Sequence, residues 1–142
     1  MKAISLLVLV SALVLGACAT TKGPPPSREA VEDFIEASQL ESVDKASSSH
    51  TGAGFSQINE YYVIFNGRRG DYLFEFVRRC FELRDNTVIV PDTRDDPNWI
   101  RARFDTLRGC RIAKIYSLDE AQAAELKALG EAPGDRNQVD RN

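Results

Sequence analysis

Two runs of aromatic and β-branched residues occupy the middle of the chain. They are Glu60 to Phe65 (EYYVIF) and Asp71 to Val77 (DYLFEFV), separated by Asn66-Gly67-Arg68-Arg69-Gly70. Runs of this kind around a short polar linker with glycines predict a β-hairpin. Strand side chains alternate between faces, so Tyr72, Phe74 and Phe76 share one face and Leu73, Glu75 and Val77 the other. In the first run Tyr61, Val63 and Phe65 alternate with Tyr62 and Ile64. Faces this apolar predict a central hairpin, covered on one side and partly on the second.

Helices are expected on both sides of this unit. Ser27 can cap a helix that starts at Arg28, with Ala30, Val31, Phe34 and Ile35 on one face and Glu29, Glu32, Asp33 and Glu36 on the other. Ser117 and Glu120 form a capping-box pattern ahead of a helix over Leu118 to Leu129, ended by Gly130. Between hairpin and second helix, Thr87 to Val90 and Arg111 to Tyr116 read as strands, and Trp99 to Phe104 as a short helix or strand. Leu40 to Ala46 is a further candidate strand, and Ser47 to Gly54 a loop. The fold class expected is α+β: a small antiparallel sheet or partial barrel around the hairpin, flanked by an N-terminal and a C-terminal helix.

The first residues have a different character. Met1-Lys2 is followed by the uncharged run Ala3 to Leu15 (AISLLVLVSALVL), thirteen residues long. That suits the apolar region of an export signal and falls short of the roughly twenty residues of a spanning helix. The run closes on Leu15-Gly16-Ala17-Cys18, which resembles the lipobox of bacterial lipoproteins. Small residues at Gly16 and Ala17 admit a peptidase to the backbone, and the Cys18 thiol is the site for diacylglycerol. The expected product is held in a membrane by acyl chains on Cys18, two or three of which bind in effect permanently. Ala19 in place of Asp favours onward transport to the outer membrane, with the periplasmic face of the inner membrane as the alternative. The expected organisation is a signal over 1–17, a lipidated cysteine and Pro-rich tether over 18–27, one domain over 28–130 and a disordered tail over 131–142. Pro24-Pro25-Pro26 stiffens the tether.

Of the three cysteines, assigning Cys18 to lipid leaves Cys80 and Cys110 in an oxidising compartment, where a disulfide is the simplest outcome. A free thiol pair, a redox centre and a metal site are the alternatives. The pair lacks C-x-x-C spacing, and the single histidine, His50, falls in a Ser/Gly loop. The acids of Asp92 to Asn98 (DTRDDPN) do not follow EF-hand spacing, and Asp95 or Asp96 as a helix cap before Pro97 explains them. No metal or cofactor is expected.

Formal charge is −3, unevenly spread. From Tyr61 to Tyr116 there are eleven basic residues, ten of them Arg, against eight acidic, whereas both flanks are acidic. Internal charge balance is the plain reading. The sharper one is a surface for an anionic envelope component or a partner, with Arg68, Arg69, Arg78 and Arg79 as its cations and Tyr61, Tyr72 and Phe74 as aromatic contacts. An acidic total with an export signal argues against nucleic acid. No nucleophile–base set, G-x-S-x-G, H-E-x-x-H or phosphate-cradling loop is present, so no catalytic residue is expected, although a carboxylate such as Glu75 among aromatics stays open. Arg69-Gly70-Asp71 matches an adhesion tripeptide, and a hairpin turn accounts for it. Two functions compete: a non-catalytic interaction or envelope-support module with a protein partner, and a binding module for a small apolar molecule or an anionic envelope lipid.

Taken together, the lipobox, the DYLFEF hairpin, Cys80 and the segment Phe104 to Tyr116 (FDTLRGCRIAKIY) before a helix resemble a family of small Gram-negative lipoproteins known only as a domain of unknown function. The resemblance covers about Val31 to Leu129. It implies a periplasmic domain with paired cysteines and brings no catalytic residues.

Overall fold

In the computed structural model, which describes residues 24–48, 54–83, 91–93 and 96–129, the hairpin is the middle of a six-stranded antiparallel sheet. Cys18, the expected export signal, most of the expected tether, His50, the candidate strand over 87–90 and the expected tail lie outside the described residues. The chain runs α1 (Arg28–Ala37), β1 (Ser42–Val43), β2 (Lys45–Ser47), β3 (Phe55–Gln57), β4 (Tyr62–Gly67), β5 (Gly70–Phe76), β6 (Trp99–Arg101), β7 (Thr106–Leu107), β8 (Cys110–Leu118) and α2 (Glu120–Leu129). Sheet order is β1-β8-β5-β4-β3, with β7 also on β8, while β2 and β6 form a separate two-stranded ribbon. The sheet is open rather than a barrel, so the fold is α+β.

Both faces of the hairpin are buried, as its composition demands. Val63, Phe65, Phe74 and Phe76 join Ala46, Leu83, Ile100, Leu107, Ile112 and Ile115 in one apolar cluster, beneath the ribbon. Within it the rings of Phe65 and Phe74 stack with centroids 5.0 Å apart. The Cys80–Cys110 disulfide closes this side, with Cα atoms 5.8 Å apart. On the opposite face Tyr62, Ile64, Leu73, Tyr116 and Leu118 meet Val31 and Phe34 of α1 and Ala123 and Leu126 of α2.

Several boundaries differ from the expectation for physical reasons. The hairpin loop is only Arg68-Arg69, because Gly67 and Gly70 still pair across the ladder. A Cβ on Gly67 would come within 2.5 Å of the Ser47 carbonyl, so only glycine fits where the ribbon crosses the hairpin. Leu40 to Ala46 is not one strand: β1 pairs with β8, the chain bends at Asp44, and β2 pairs with β6 instead. β8 continues through Leu118, which pairs with Asp71. The second helix therefore starts two residues late and takes a different capping box, in which the Asp119 carboxylate accepts from the Gln122 amide and the Gln122 side chain from the Asp119 amide. Trp99 opens a strand, one of the two forms expected of its segment, which ends at Arg101 rather than Phe104. Ahead of it Asp96 caps a turn by accepting from the Asn98 amide, where a helix cap was expected.

The first helix follows its expectation closely. Ser27 Oγ accepts from the Ala30 amide at 3.1 Å. At its C-terminus Gln39, with φ of 49°, donates to Glu36, and Leu40 donates to Ile35, the paired bonds of a Schellman motif.

Candidate functional site

The sheet has two ends of different chemistry. At the hairpin tip, β4 turns into β5 and β8 finishes. At the other end β5 stops, β4 and β8 begin, and the chain enters α1; we call this the entry end.

Asn59 organises the entry end. Its carboxamide oxygen accepts from the amides of Tyr61 and Tyr62, at 2.8 and 3.0 Å, which starts β4. Its amide nitrogen donates to the Pro26 carbonyl at 3.1 Å. Pro26 is buried, so the final residues expected of the tether are held against the sheet. The next residue but one, Arg28, places its guanidinium 4.7 Å from the centre of the Tyr61 ring. Arg79 approaches the same ring, donates to the Tyr61 hydroxyl at 3.3 Å and lies 3.2 Å from a Glu60 carboxylate oxygen. Tyr61 is thus a half-buried platform between two arginines.

Beside it, the cross-strand row Tyr62–Glu75–Lys114 crosses the helix-side face. A β-bulge explains its make-up. Glu75 pairs with Lys114 and Phe76 with Ile112, leaving Ala113 as the extra residue. Ile112 and Ile115, three apart, consequently both enter the apolar cluster, and Lys114 aligns with Glu75. Glu75 is 9% exposed. Its carboxylate accepts from the Tyr116 hydroxyl at 3.3 Å and lies 3.6 Å from Lys114 Nζ and 3.8 Å from Arg28 Nη2. Burial, reinforced by the Glu75 charge, holds the phenols of Tyr62 and Tyr116 protonated above their ordinary range. The same carboxylate strengthens the proton on Lys114. A buried acid with two cations and two protonated phenols around it is a compensated structural charge.

The outer edge of this end is the turn between β6 and β7. Asp105, wholly buried, accepts from the Arg101 amide at 2.7 Å and pairs with its guanidinium. This fixes a turn in which Arg103 takes φ of 70° and donates its amide to Ile112. Phe104 stands at its tip, 64% exposed, beside a shallow groove of about 320 Å³ lined by Val43, Lys45, Ala102, Ala113 and Lys114.

The expected surface residues separate. Phe74 is in the core, Tyr72 is half-buried on the ribbon side with its hydroxyl 3.4 Å from Ser47 Oγ, and Tyr61 lies at the entry end. No single aromatic stripe forms from them. Arg68 and Arg69 occupy the hairpin tip, where Arg69 and Lys45 both approach the Trp99 ring. Arg78 and Arg79 lie at the opposite end of β5, so the four arginines make two pairs rather than one face. Asn59, Lys114, Asp105 and Phe104 carried no expectation. Only Asn59 had a local signal, an Asx turn just ahead of an aromatic run; the others depend on a bulge and a turn that form between distant strands.

Cys80, Cys110 and Glu82 gather three donor atoms within 4.8 Å. The sulfurs are bonded to each other, so neither is the thiolate that a metal requires, and the trio is a disulfide beside a carboxylate.

Neither a curated protein nor a solved structure shows a match to the chain. Residues 1–132 match the model of a family of unknown function (DUF6491), and the chain belongs to that family.

Proposed function

We propose that the chain is a lipoprotein anchored through Cys18 in the outer membrane, whose periplasmic domain is a non-catalytic module that binds another envelope protein. The observation that carries this reading is the Cys80–Cys110 disulfide. A structural disulfide belongs to an oxidising compartment, and an export signal ending in Leu15-Gly16-Ala17-Cys18 accounts both for the compartment and for the third cysteine. A non-catalytic role is supported by Glu75, the best-placed acid, whose charge is already matched by Arg28, Lys114 and Tyr116. Phe74, expected as an aromatic contact for a small apolar molecule, stacks instead on Phe65 within the core. An anionic lipid remains a second reading, favoured by the arginines of the entry end.

In-cell crosslinking tests the proposal. The wild-type chain is expected to trap one discrete envelope protein, and Cys18→Ser to lose both membrane association and that product. Recovery of abundant bystanders alone, or unchanged membrane association of Cys18→Ser, would overturn it.

A further inference from the structure

We propose that the entry end of the sheet lies on the anionic headgroup surface of the anchoring membrane, with the hairpin tip pointing away. The inference rests on acylation of Cys18 and adds an orientation and a lipid-contacting surface.

The first argument is reach. Pro26 is clamped by Asn59, so the chain joins the domain at this end. Only seven residues separate the clamped Pro26 from Cys18, a span of at most about 28 Å even when fully extended. Whichever surface surrounds Pro26 is therefore kept close to the headgroups.

The second argument is what that surface displays. Val77 at 60%, Phe81 at 44% and Phe104 at 64% are the large hydrophobic residues left exposed among those described. All three belong to the entry end. Val77 follows β5 directly and donates its amide to Arg111. Phe81 follows Cys80, whose amide donates to Glu60 at 2.7 Å. Phe104 sits on the turn that donates to Ile112.

The third argument is charge. Arg28, Arg78, Arg79, Arg103, Arg108 and Arg111 stand at the same end, all exposed. The acids among them are Glu60, Glu82, Glu29 next to Arg28, Asp92 bridged to Thr106, and Glu32, which pairs with Arg28. The hairpin-tip end instead carries Asp71, Asp119 and Glu120 beside Arg68, Arg69 and Lys45. Exposed aromatics among arginines suit the boundary between anionic headgroups and acyl chains, where the ring enters the interface and the guanidinium keeps to the phosphates. A protein partner for the same patch would have to displace a surface that the anchor holds against it.

The test uses the full acylated chain with Trp99→Phe, so that a single new tryptophan reports its own surroundings. Phe81→Trp or Val77→Trp probes the entry end and Arg68→Trp the hairpin tip, each reconstituted into phosphatidylethanolamine–phosphatidylglycerol vesicles containing brominated acyl chains. Near-ultraviolet circular dichroism and the retained disulfide verify folding of each variant. Fluorescence at the two entry-end positions is expected to fall at least twofold, with little change at position 68. The quenching is expected to halve in phosphatidylcholine vesicles. Equal quenching at both ends, none at 77 and 81, or indifference to anionic lipid would overturn the proposal while leaving the anchor intact. A chain whose mass shows no acyl group on Cys18 would overturn the anchoring reading and this orientation together.

Discussion

The two faces of β5 are one residue apart and are built on different principles. On the ribbon side, Phe74 and Phe76 lie in an apolar cluster whose described cover is two three-residue strands and the residues around Cys80 and Leu83. Cys80 and Cys110 close this side covalently. On the helix side, Leu73 is covered by two ten-residue helices, and the strand can carry Glu75 where the helix layer gives way to Arg28. The ribbon face is apolar and stapled, whereas the helix face has one polar, ion-matched edge.

This contrast is easiest to break on the apolar face. Phe74→Ala removes a fully buried ring and its stacking on Phe65, and is expected to cost about 3–5 kcal/mol in urea unfolding. If it costs no more than an exposed substitution such as Phe104→Ala, the apolar face is not the main core. Cys80→Ser with Cys110→Ser opens a closed loop of sequence separation 30, and is expected to cost about 3–4 kcal/mol in the loop-entropy picture. A loss confined to the helix side, read by hydrogen exchange, would mean that the staple does not serve the face assigned to it.

The helix face is sharpened by pH. Burial, then repulsion from Glu75, raises the Tyr62 phenol above its ordinary value of 10.0, and Tyr116 and Lys114 are also raised. A group whose folded pKa is raised holds its proton in the folded chain where the unfolded chain releases it. The stability it contributes is complete below pH 10 and lost as pH climbs beyond that. The unfolding midpoint is therefore expected to be level through neutral pH and to drop above about pH 10, with a shallower drop in Tyr62→Phe. An equally steep drop in that variant would place the alkaline transition elsewhere.

The smallest effect concerns the end of α1. Gln39 adopts a left-handed conformation with φ of 49°, so Gln39→Gly is expected to raise stability by up to about 1 kcal/mol. Destabilisation would show that the Gln39 side chain contributes more than its backbone costs.

Legibility in the sequence followed the range of the forces. The hairpin, the Ser27 cap and the two faces of β5 are local consequences of alternation and capping, and could be read directly. The Cys80–Cys110 link was legible because the cysteine count and the expected export signal constrain each other. The start of α2 was not, since pairing of Leu118 with Asp71 extends β8 through the nearest capping pattern. Nor was the separation of Tyr61 from Tyr72 and Phe74. Tyr61 lies before β4 and is held by Asn59, Arg28 and Arg79, none of which periodicity connects to it. The entry end was hidden for the same reason: its arginines are dispersed from position 28 to position 111 and only the sheet order gathers them.

The most direct test of the account is the intact and peptide mass of the mature chain purified from membranes. The expected species begins at Cys18, carries two or three acyl chains there and links Cys80 to Cys110. A chain that retains Met1, or begins at Cys18 without lipid, would contradict it.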